Sequence, residues 1–176
     1  METVEEENKT TTVNKGKGDT INRNQLIVFK QGAEEYAMLI DQIKEVVITP
    51  NITRMPQTSA YIKGVANIRG NIIAIVNLEE KFGLERTLPT DLNNTKNFTL
   101  VVESEEFKIG ILVKEVPGTV TVLDSDISDN LSVVNDGSVD KNYIKGIVKL
   151  NDRLIILIDI FKVMSKNEVS QVLSTT

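Results

Sequence analysis

The amino-acid sequence predicts an all-β protein made of two small barrels that are related by an internal repeat. Apolar residues make up 40% of the chain but aromatic residues only 5%, so the core must consist of Ile, Val and Leu, which favour sheets. From Asn24 to Met164, short apolar runs alternate with Gly, Asn, Asp or Pro, as in small barrels and sandwiches. The tetrapeptide Tyr61–Gly64 also recurs as Tyr143–Gly146.

The apolar runs define the expected strands, and tight polar turns join several of them. Arg69–Asn71, Ser104–Glu106 and Asn151–Asp152 each separate two runs by two or three residues, which is hairpin spacing. The expected strands are Gln25–Lys30, Glu35–Leu39, Glu45–Thr49, Gly64–Ile68, Ile72–Leu78, Phe98–Glu103, Phe107–Val113, Thr119–Leu123, Gly146–Leu150 and Arg153–Ile158.

Three short helices are expected between or after these strands. They lie at Asp41–Lys44, Glu79–Phe82 and Asp159–Lys166, and the last opens with an aspartate that can cap it. The segment Glu85–Asn97 contains Pro89 and many polar residues, so we interpret it as the longest internal connection.

The repeat extends well beyond the shared tetrapeptide. Tyr61–Phe82 set against Tyr143–Met164 gives 5 identities and 9 further apolar matches over 22 positions. Both copies have the order tetrapeptide, strand, tight turn, strand and short helix. Two copies of one such unit indicate a pseudo-symmetric pair of barrels, because a longer array needs at least about three units.

The composition also suggests where the folded part of the chain begins and ends. Residues 1–23 are polar with scattered apolar residues, which predicts a disordered tail. Residues 24–166 are expected to form one domain with two barrel subdomains, and residues 167–176 a polar C-terminal tail.

The residue types that are missing narrow the range of functions. The chain has no Cys and no His, so it lacks the usual thiol nucleophile, general base and soft metal ligands. The net charge is −5, which disfavours nucleic acid and anionic lipid as partners. The N-terminus is acidic and no apolar run is long enough to span a bilayer, so we expect a cytoplasmic protein. These features favour a protein without catalysis, cofactor, metal site or membrane insertion.

Two features remain open to more than one interpretation. Arg69 at a hairpin tip is either a solvated turn residue or a binding residue, and the repeat has Asn151 in its place, so the hairpin does not require an arginine. The apolar run from Ile43 to Ile52 is either a strand that is covered on both faces or one whose exposed face binds a protein.

The acidic run Asp124–Asp129 resembles a calcium loop but lacks its glycine, so we interpret it as a capped turn.

The segment YIKGVANIRGNIIAIVNLEEKF, at Tyr61–Phe82, is similar to the signature segment of the chemotaxis coupling protein family, the CheW-like domains. The shared pattern is Ile-x-Gly, then Asn-hydrophobic-Arg-Gly, a strand and an Asp-Leu pair. The segments GAEEYAMLIDQIKEVV and FKIGILVKEVPGTVTV also resemble strands of this family, so the resemblance runs from about Gln25 to Met164.

This resemblance implies two intertwined SH3-like five-stranded barrels around a shared core. It implies a non-catalytic scaffold that couples the cytoplasmic tip of transmembrane chemoreceptors, the methyl-accepting chemotaxis proteins, to the regulatory domain of the histidine kinase CheA. Arg69 matches the arginine of the family motif and Glu45 the acidic residue of the third strand, which are expected to pair at a receptor-binding groove between the barrels. By the same resemblance, Ile43, Val46 and Val47 would flank this groove as apolar contacts.

The sequence departs from the family pattern at two positions, where Asn77 and Lys114 replace aspartates. Three alternatives stay open at this point. One is a CheW-like adaptor of another two-component signalling system. The second is a small-barrel nucleic-acid binder, which the acidic charge disfavours, and the third is an enzyme that uses Asp, Glu or Lys.

Overall fold

The computed structural model describes residues 14–15, 19–20, 22–129 and 141–174 of the chain. Most of the predicted N-terminal tail therefore lies outside the described residues. Within it, Asn14–Lys15 and Asp19–Thr20 form a short antiparallel pair.

The structure is mostly β, and all ten predicted strands are confirmed with ends that shift by at most two residues. The strands are β1 (Arg23–Gln31), β2 (Glu34–Leu39), β3 (Ile43–Ile48), β4 (Ile62–Ile68), β5 (Asn71–Val76), β6 (Phe98–Glu103), β7 (Lys108–Val113), β8 (Gly118–Leu123), β9 (Ile144–Leu150) and β10 (Arg153–Ile158). The helices are α1 (Leu78–Phe82), α2 (Ile160–Val163) and α3 (Lys166–Ser174). The helix predicted at Asp41–Lys44 is a single 3₁₀ turn at Ile40–Gln42.

The ten strands form two sheets that exchange hairpins between the two halves of the chain. The first sheet has the order β8–β1–β2–β10–β9, followed by Ile127–Ser128, and the second has the order β3–β6–β7–β5–β4. The first half of the chain runs from β1 to α1 and the second from β6 to α2. In each half, the opening hairpin joins the last three strands of the other half, through the parallel pairs β2–β10 and β5–β7. This exchange explains how two small barrels become intertwined in one chain.

The predicted repeat is confirmed as a structural repeat. The unit β4–β5–α1 corresponds to β9–β10–α2, and both copies have a bulge before the glycine of the tetrapeptide, at Gly64 and at Gly146. Asn77 caps α1 by accepting the Glu79 N–H, and Asp159 caps α2 by accepting the Phe161 N–H in the same way.

The two repeated glycines mark the places where each barrel closes. Thr53 bridges to Val65 in β4 through two backbone hydrogen bonds of 2.8 and 2.9 Å. A β-carbon on Gly64 would lie 2.1 Å from the Thr53 carbonyl oxygen, and one on Gly146 would lie 2.9 Å from the Ser128 carbonyl oxygen. Only glycine lets the closing segment approach this closely, which explains why the glycine is identical in both copies.

The apolar side chains form three clusters, one inside each barrel and one between them. The cluster between the barrels is the largest and contains residues of both halves, including the stacked rings of Phe82 and Tyr143, whose centroids are 4.7 Å apart. The interiors of the two barrels are filled by aliphatic side chains from alternate strand positions. Since neither half contains a complete sheet, the barrels depend on each other for folding.

The tail predicted at 167–176 is wrong over most of its length, because α3 covers Lys166–Ser174 and belongs to the shared core. Val169 and Val172 of this helix are buried in the cluster between the barrels. The Ser165 hydroxyl accepts the Glu168 N–H, and the Glu168 carboxylate accepts the Ser165 N–H at 2.8 Å, which forms a capping box. The segment was predicted to be a tail because it is mostly polar, but Val169 and Val172 are spaced to lie on one face of a helix. The capping box marks the residue at which this helix begins. The predicted helix Asp159–Lys166 is divided into α2 and the start of α3 at Met164 and Ser165.

Glu79 fixes the long connection between the halves to both barrels. Its buried carboxylate accepts hydrogen bonds from Thr87, from the Leu88 N–H at 3.1 Å and from the Gly32 N–H at 3.1 Å. Burial acts to raise the pKa of Glu79, but the hydrogen bonds from Thr87, Leu88 and Gly32 hold it below its ordinary value. One carboxylate thus joins α1, the connection and the β1–β2 turn.

None of the helices in the described part of the chain is both long enough and apolar enough to cross a membrane.

Gly64 lies where the second barrel closes and Gly70 does not, although both have a positive φ. Replacing each by alanine should therefore lower the stability of the protein by different amounts. Gly64→Ala places a methyl group against Thr53, so we expect it to lower the free energy of unfolding by about 3 kcal/mol. Gly70→Ala has open space at the β-carbon and should cost only about 1 kcal/mol of backbone strain. Urea unfolding followed by circular dichroism measures both, and equal losses would contradict this account of closure.

The contacts of α3 predict a loss of stability in acid. Burial acts to raise the pKa of Glu168, but hydrogen bonds from Tyr61, the Ser165 N–H and Lys81 lower it from 4.5 to about 2. Because the folded-state pKa is depressed, this stabilisation is present above pH 4.5 and is lost as the pH falls toward 2. The melting temperature of the wild type should therefore fall more steeply over this range than that of Glu168→Gln. Glu105→Gln, on an exposed turn, controls for the change in charge and should keep the wild-type slope.

Candidate functional site

Glu45 and Arg69, which the family resemblance expects to pair, form an ion pair in the structure at the seam of the second barrel. Strands β3 and β4 are the two outer strands of their sheet, and the barrel closes where Thr53, after β3, bridges to Val65 in β4. Glu45 lies in β3, and Arg69 lies in the turn that follows β4. The Arg69 Nε–H donates to the Glu45 carboxylate at 2.6 Å across this seam.

The turn presents the Arg69 side chain to solvent. Arg69 has a φ of +52° and Gly70 a φ of +84°, so two residues connect β4 to β5 in a left-handed turn. The Gly70 N–H donates to the Asn67 side-chain oxygen at 2.9 Å. The Arg69 side chain is 73% exposed, whereas the Glu45 side chain is 18% exposed. Glu45 therefore anchors an arginine that projects outward.

Most of the hydrogen-bonding capacity of Arg69 is unused. A guanidinium has five N–H donors, and the only partner the structure gives this one among the described residues is Glu45. Its planar fork suits a carboxylate of a partner protein. The arrangement can thus recognise an acidic group while Glu45 holds the arginine in place.

The apolar residues that were expected to flank the site are separated by the strand. A bulge between Ile43 and Glu45 changes the alternation of β3. Ile43 is half-buried against the shared core, and Val47 is half-buried against the interior of the second barrel. Val46 is 39% exposed and is therefore available for contact.

Sequence reasoning missed a more exposed apolar residue on the same strand. Ile48 is 62% exposed and lies on the same side of β3 as Val46, since the two alternate with Val47. Of the two interpretations of this run, the structure favours the strand with one exposed apolar face. The signal in the sequence was the continuous run itself, which is longer than strict alternation requires.

Charged residues surround this end of the second barrel. Glu103 forms an ion pair with Lys44 at 2.9 Å and lies 3.9 Å from Lys108. The hydrogen bond from Lys44 lowers the pKa of Glu103 and raises that of Lys44. These exposed pairs are solvated and screened, so they contribute more to the surface charge pattern than to stability.

Two acidic groups away from the seam accept hydrogen bonds from backbone N–H groups. Among the described residues, no three acidic side chains gather into a group that could hold a metal ion. The Asp124–Asp126 segment is a 3₁₀ turn in which Asp126 accepts the Leu123 N–H at 2.9 Å. A cavity of about 350 Å³ beside α1 includes Glu79, but that carboxylate is already saturated by donors.

The two departures from the family pattern differ in their consequences. Asn77 is buried and caps α1, which is a structural role that an amide oxygen performs as well as a carboxylate. Lys114 is exposed after the end of β7, so it changes the charge of the surface.

Comparisons with known proteins agree with this architecture. The CheW-like domain family matches residues 25–168. The chain is 30% identical over 148 residues to the chemotaxis protein CheW of Treponema pallidum, which covers 84% of this chain and 85% of that protein. It is 32% identical over 143 residues to the chemotaxis protein CheW of Helicobacter pylori, covering 81% and 82% of the two chains.

A solved structure shows the same fold. The crystal structure of the scaffolding protein TtCheW from Thermoanaerobacter tengcongensis matches with a TM-score of 0.67 and 28% identity, over 77% of this chain and 88% of that chain. The pair of intertwined barrels expected from the resemblance is therefore confirmed. The chain belongs to the CheW-like family, a family of non-catalytic scaffold proteins of bacterial chemotaxis.

Proposed function

We propose that this protein works in the cytoplasm and couples transmembrane chemoreceptors to the histidine kinase CheA. The receptor's cytoplasmic tip would bind at the seam of the second barrel, and the regulatory domain of CheA would bind at a separate surface. The observation that carries the proposal is the exposed Arg69, which is anchored by Glu45 and has unused donors. The family and the chemotaxis proteins among its relatives support the choice of partners.

The seam offers two kinds of contact to a receptor helix. The exposed Val46 and Ile48 would pack against an apolar stripe on the helix. Arg69 would donate to an acidic group of the helix and so fix its register, because a charge pair contributes more to specificity than to affinity. Ile43 and Val47 would support these contacts by holding β3 on the two cores.

Through the shared core, receptor binding at one barrel would affect a kinase that is bound at another surface, without any chemical step. Both barrels contain strands from both halves of the chain, so a surface on one barrel is tied to the other by the buried cluster. Each interface is expected to be near or below the standard size of about 1,600 Å², with modest affinity. Many copies in an array would then strengthen the assembly by multivalency.

Reversing the charge of Arg69 should weaken receptor binding with little change in the stability of the fold. Arg69→Glu places a second carboxylate beside Glu45 and a repulsive charge toward the receptor, so we expect association with receptor-containing membranes to fall at least tenfold. The free energy of unfolding should change by less than about 0.5 kcal/mol, because Arg69 is exposed. Co-sedimentation with receptor membranes, with and without CheA, measures the first effect and urea unfolding the second.

The matched control is Lys149→Glu, which makes the same change in charge at an exposed position of the second hairpin. It should sediment like the wild type. If the wild-type protein fails to sediment with receptors at any salt concentration, the receptor proposal is wrong, and an adaptor role in another two-component system takes its place. If Arg69→Glu sediments as well as the wild type, the receptor binds elsewhere.

A further inference from the structure

Arg69 occupies a backbone conformation that an arginine rarely adopts. Its φ of +52° lies in the left-handed region, where a β-carbon crowds the following carbonyl oxygen. Asparagine and glycine are the residues that favour this region. The turn therefore holds Arg69 against its own backbone preference, and such strain persists only where the surroundings maintain it.

The second hairpin has a related but different two-residue turn without an arginine, since Asp152 does not have the positive φ that Gly70 has at the matching position. Asn151 stands at the position of Arg69, with a φ of +54°, and asparagine tolerates this conformation well. Lys149 stands at the position of Asn67, and a lysine side chain has only donors, so it cannot accept a backbone N–H. The second hairpin therefore forms with neither an arginine at the first turn position nor an asparagine acceptor two residues before it.

Arg69 and the acceptor Asn67 occur together in the first hairpin, and both are replaced in the second. Where the strained arginine is present, Asn67 accepts the Gly70 N–H at 2.9 Å and closes the turn from the strand side. Where asparagine takes the strained position, this acceptor is replaced by Lys149. An acceptor is thus supplied in the copy that has the unfavourable residue.

We propose that Asn67 is a positioning residue that holds Arg69 in the left-handed turn and so aims its guanidinium at the binding surface. Asn67 acts through the Gly70 N–H rather than through contact with the partner, and Glu45 fixes the other end of the arginine. The inference deepens the proposed function and rests on it, since Arg69 is the residue that would contact the receptor.

The test compares variants of Asn67 in the full-length chain. Asn67→Ala removes the acceptor, whereas Asn67→Asp retains an oxygen that can take the Gly70 N–H. Lys149→Ala is the matched change in the second hairpin. The first readout is the nuclear Overhauser effect between the amide proton and the α-proton of residue 69, which is strong when φ is positive. The second readout is thermal unfolding, and the third is co-sedimentation with receptor membranes.

Asn67→Ala should weaken the nuclear Overhauser effect at Arg69, lower the melting temperature by about 2–4 °C and reduce receptor binding about threefold to tenfold. Asn67→Asp and Lys149→Ala should both keep the wild-type values of the nuclear Overhauser effect, the melting temperature and receptor binding. Combined with Arg69→Asn, the Asn67→Ala change should lower the melting temperature much less, because asparagine supports the turn without help.

An unchanged nuclear Overhauser effect in Asn67→Ala would overturn the positioning role. The role would also be overturned if Asn67→Ala lowered the melting temperature equally in the wild type and in the Arg69→Asn variant. The acceptor would then stabilise the hairpin whichever residue stands at position 69. If the conformation of residue 69 changes but receptor binding does not, the positioning role stands and the receptor site proposed at Arg69 fails.

Discussion

The missing β-carbon of Gly64 is the constraint on which the closure of the second barrel depends. It lets the Thr53 backbone approach β4 closely and bridge to Val65, which closes the barrel with the segment that follows β3. Glu45 and Arg69 can then meet across the seam, although they lie at opposite edges of the sheet order. A side chain at position 64 would clash with the Thr53 backbone and push the closing segment away. The glycine in the family signature thus has a physical reason that is independent of the arginine that follows it.

The exchange of hairpins between the two halves gives the site its support. Since each sheet takes strands from both halves, the cluster between the barrels cannot form until both halves are in place. Glu79 adds a polar connection, because its saturated carboxylate joins α1 to the long connection and to the β1–β2 turn. A buried carboxylate with this many donors is stable, but losing one partner would leave a charge uncompensated. The shared cluster and this polar connection therefore link both barrels into one scaffold.

Short-range patterns in the sequence were sufficient to predict the strands, the hairpins and the repeat, because alternation and turn residues act locally. The resemblance to a family supplied the pairing of Glu45 with Arg69, which joins residues from distant strands and has no local signal. Two failures have different causes. The helix α3 was missed because its composition is polar, although Ser165 and Glu168 form a capping-box pattern that predicts a helix start. The continuous apolar run indicated an exposed face on β3 but not which residues lie on it, since a bulge after Ile43 decides which side of β3 each residue faces.

The internal repeat offers a way to separate residues that serve the fold from residues that serve function. Where both copies need the same physical solution they have it, as with the closing glycines and the side-chain caps of α1 and α2. Where the copies differ at the hairpin tip, the second shows that the fold is satisfied by residues that suit the turn better, with Asn151 in the strained position. An arginine kept at a backbone cost, together with an acceptor that stabilises it, is the pattern expected of a binding residue whose location matters more than its contribution to stability. The proposed binding role of the first hairpin therefore rests on what distinguishes it from its copy, since the second hairpin folds without these residues.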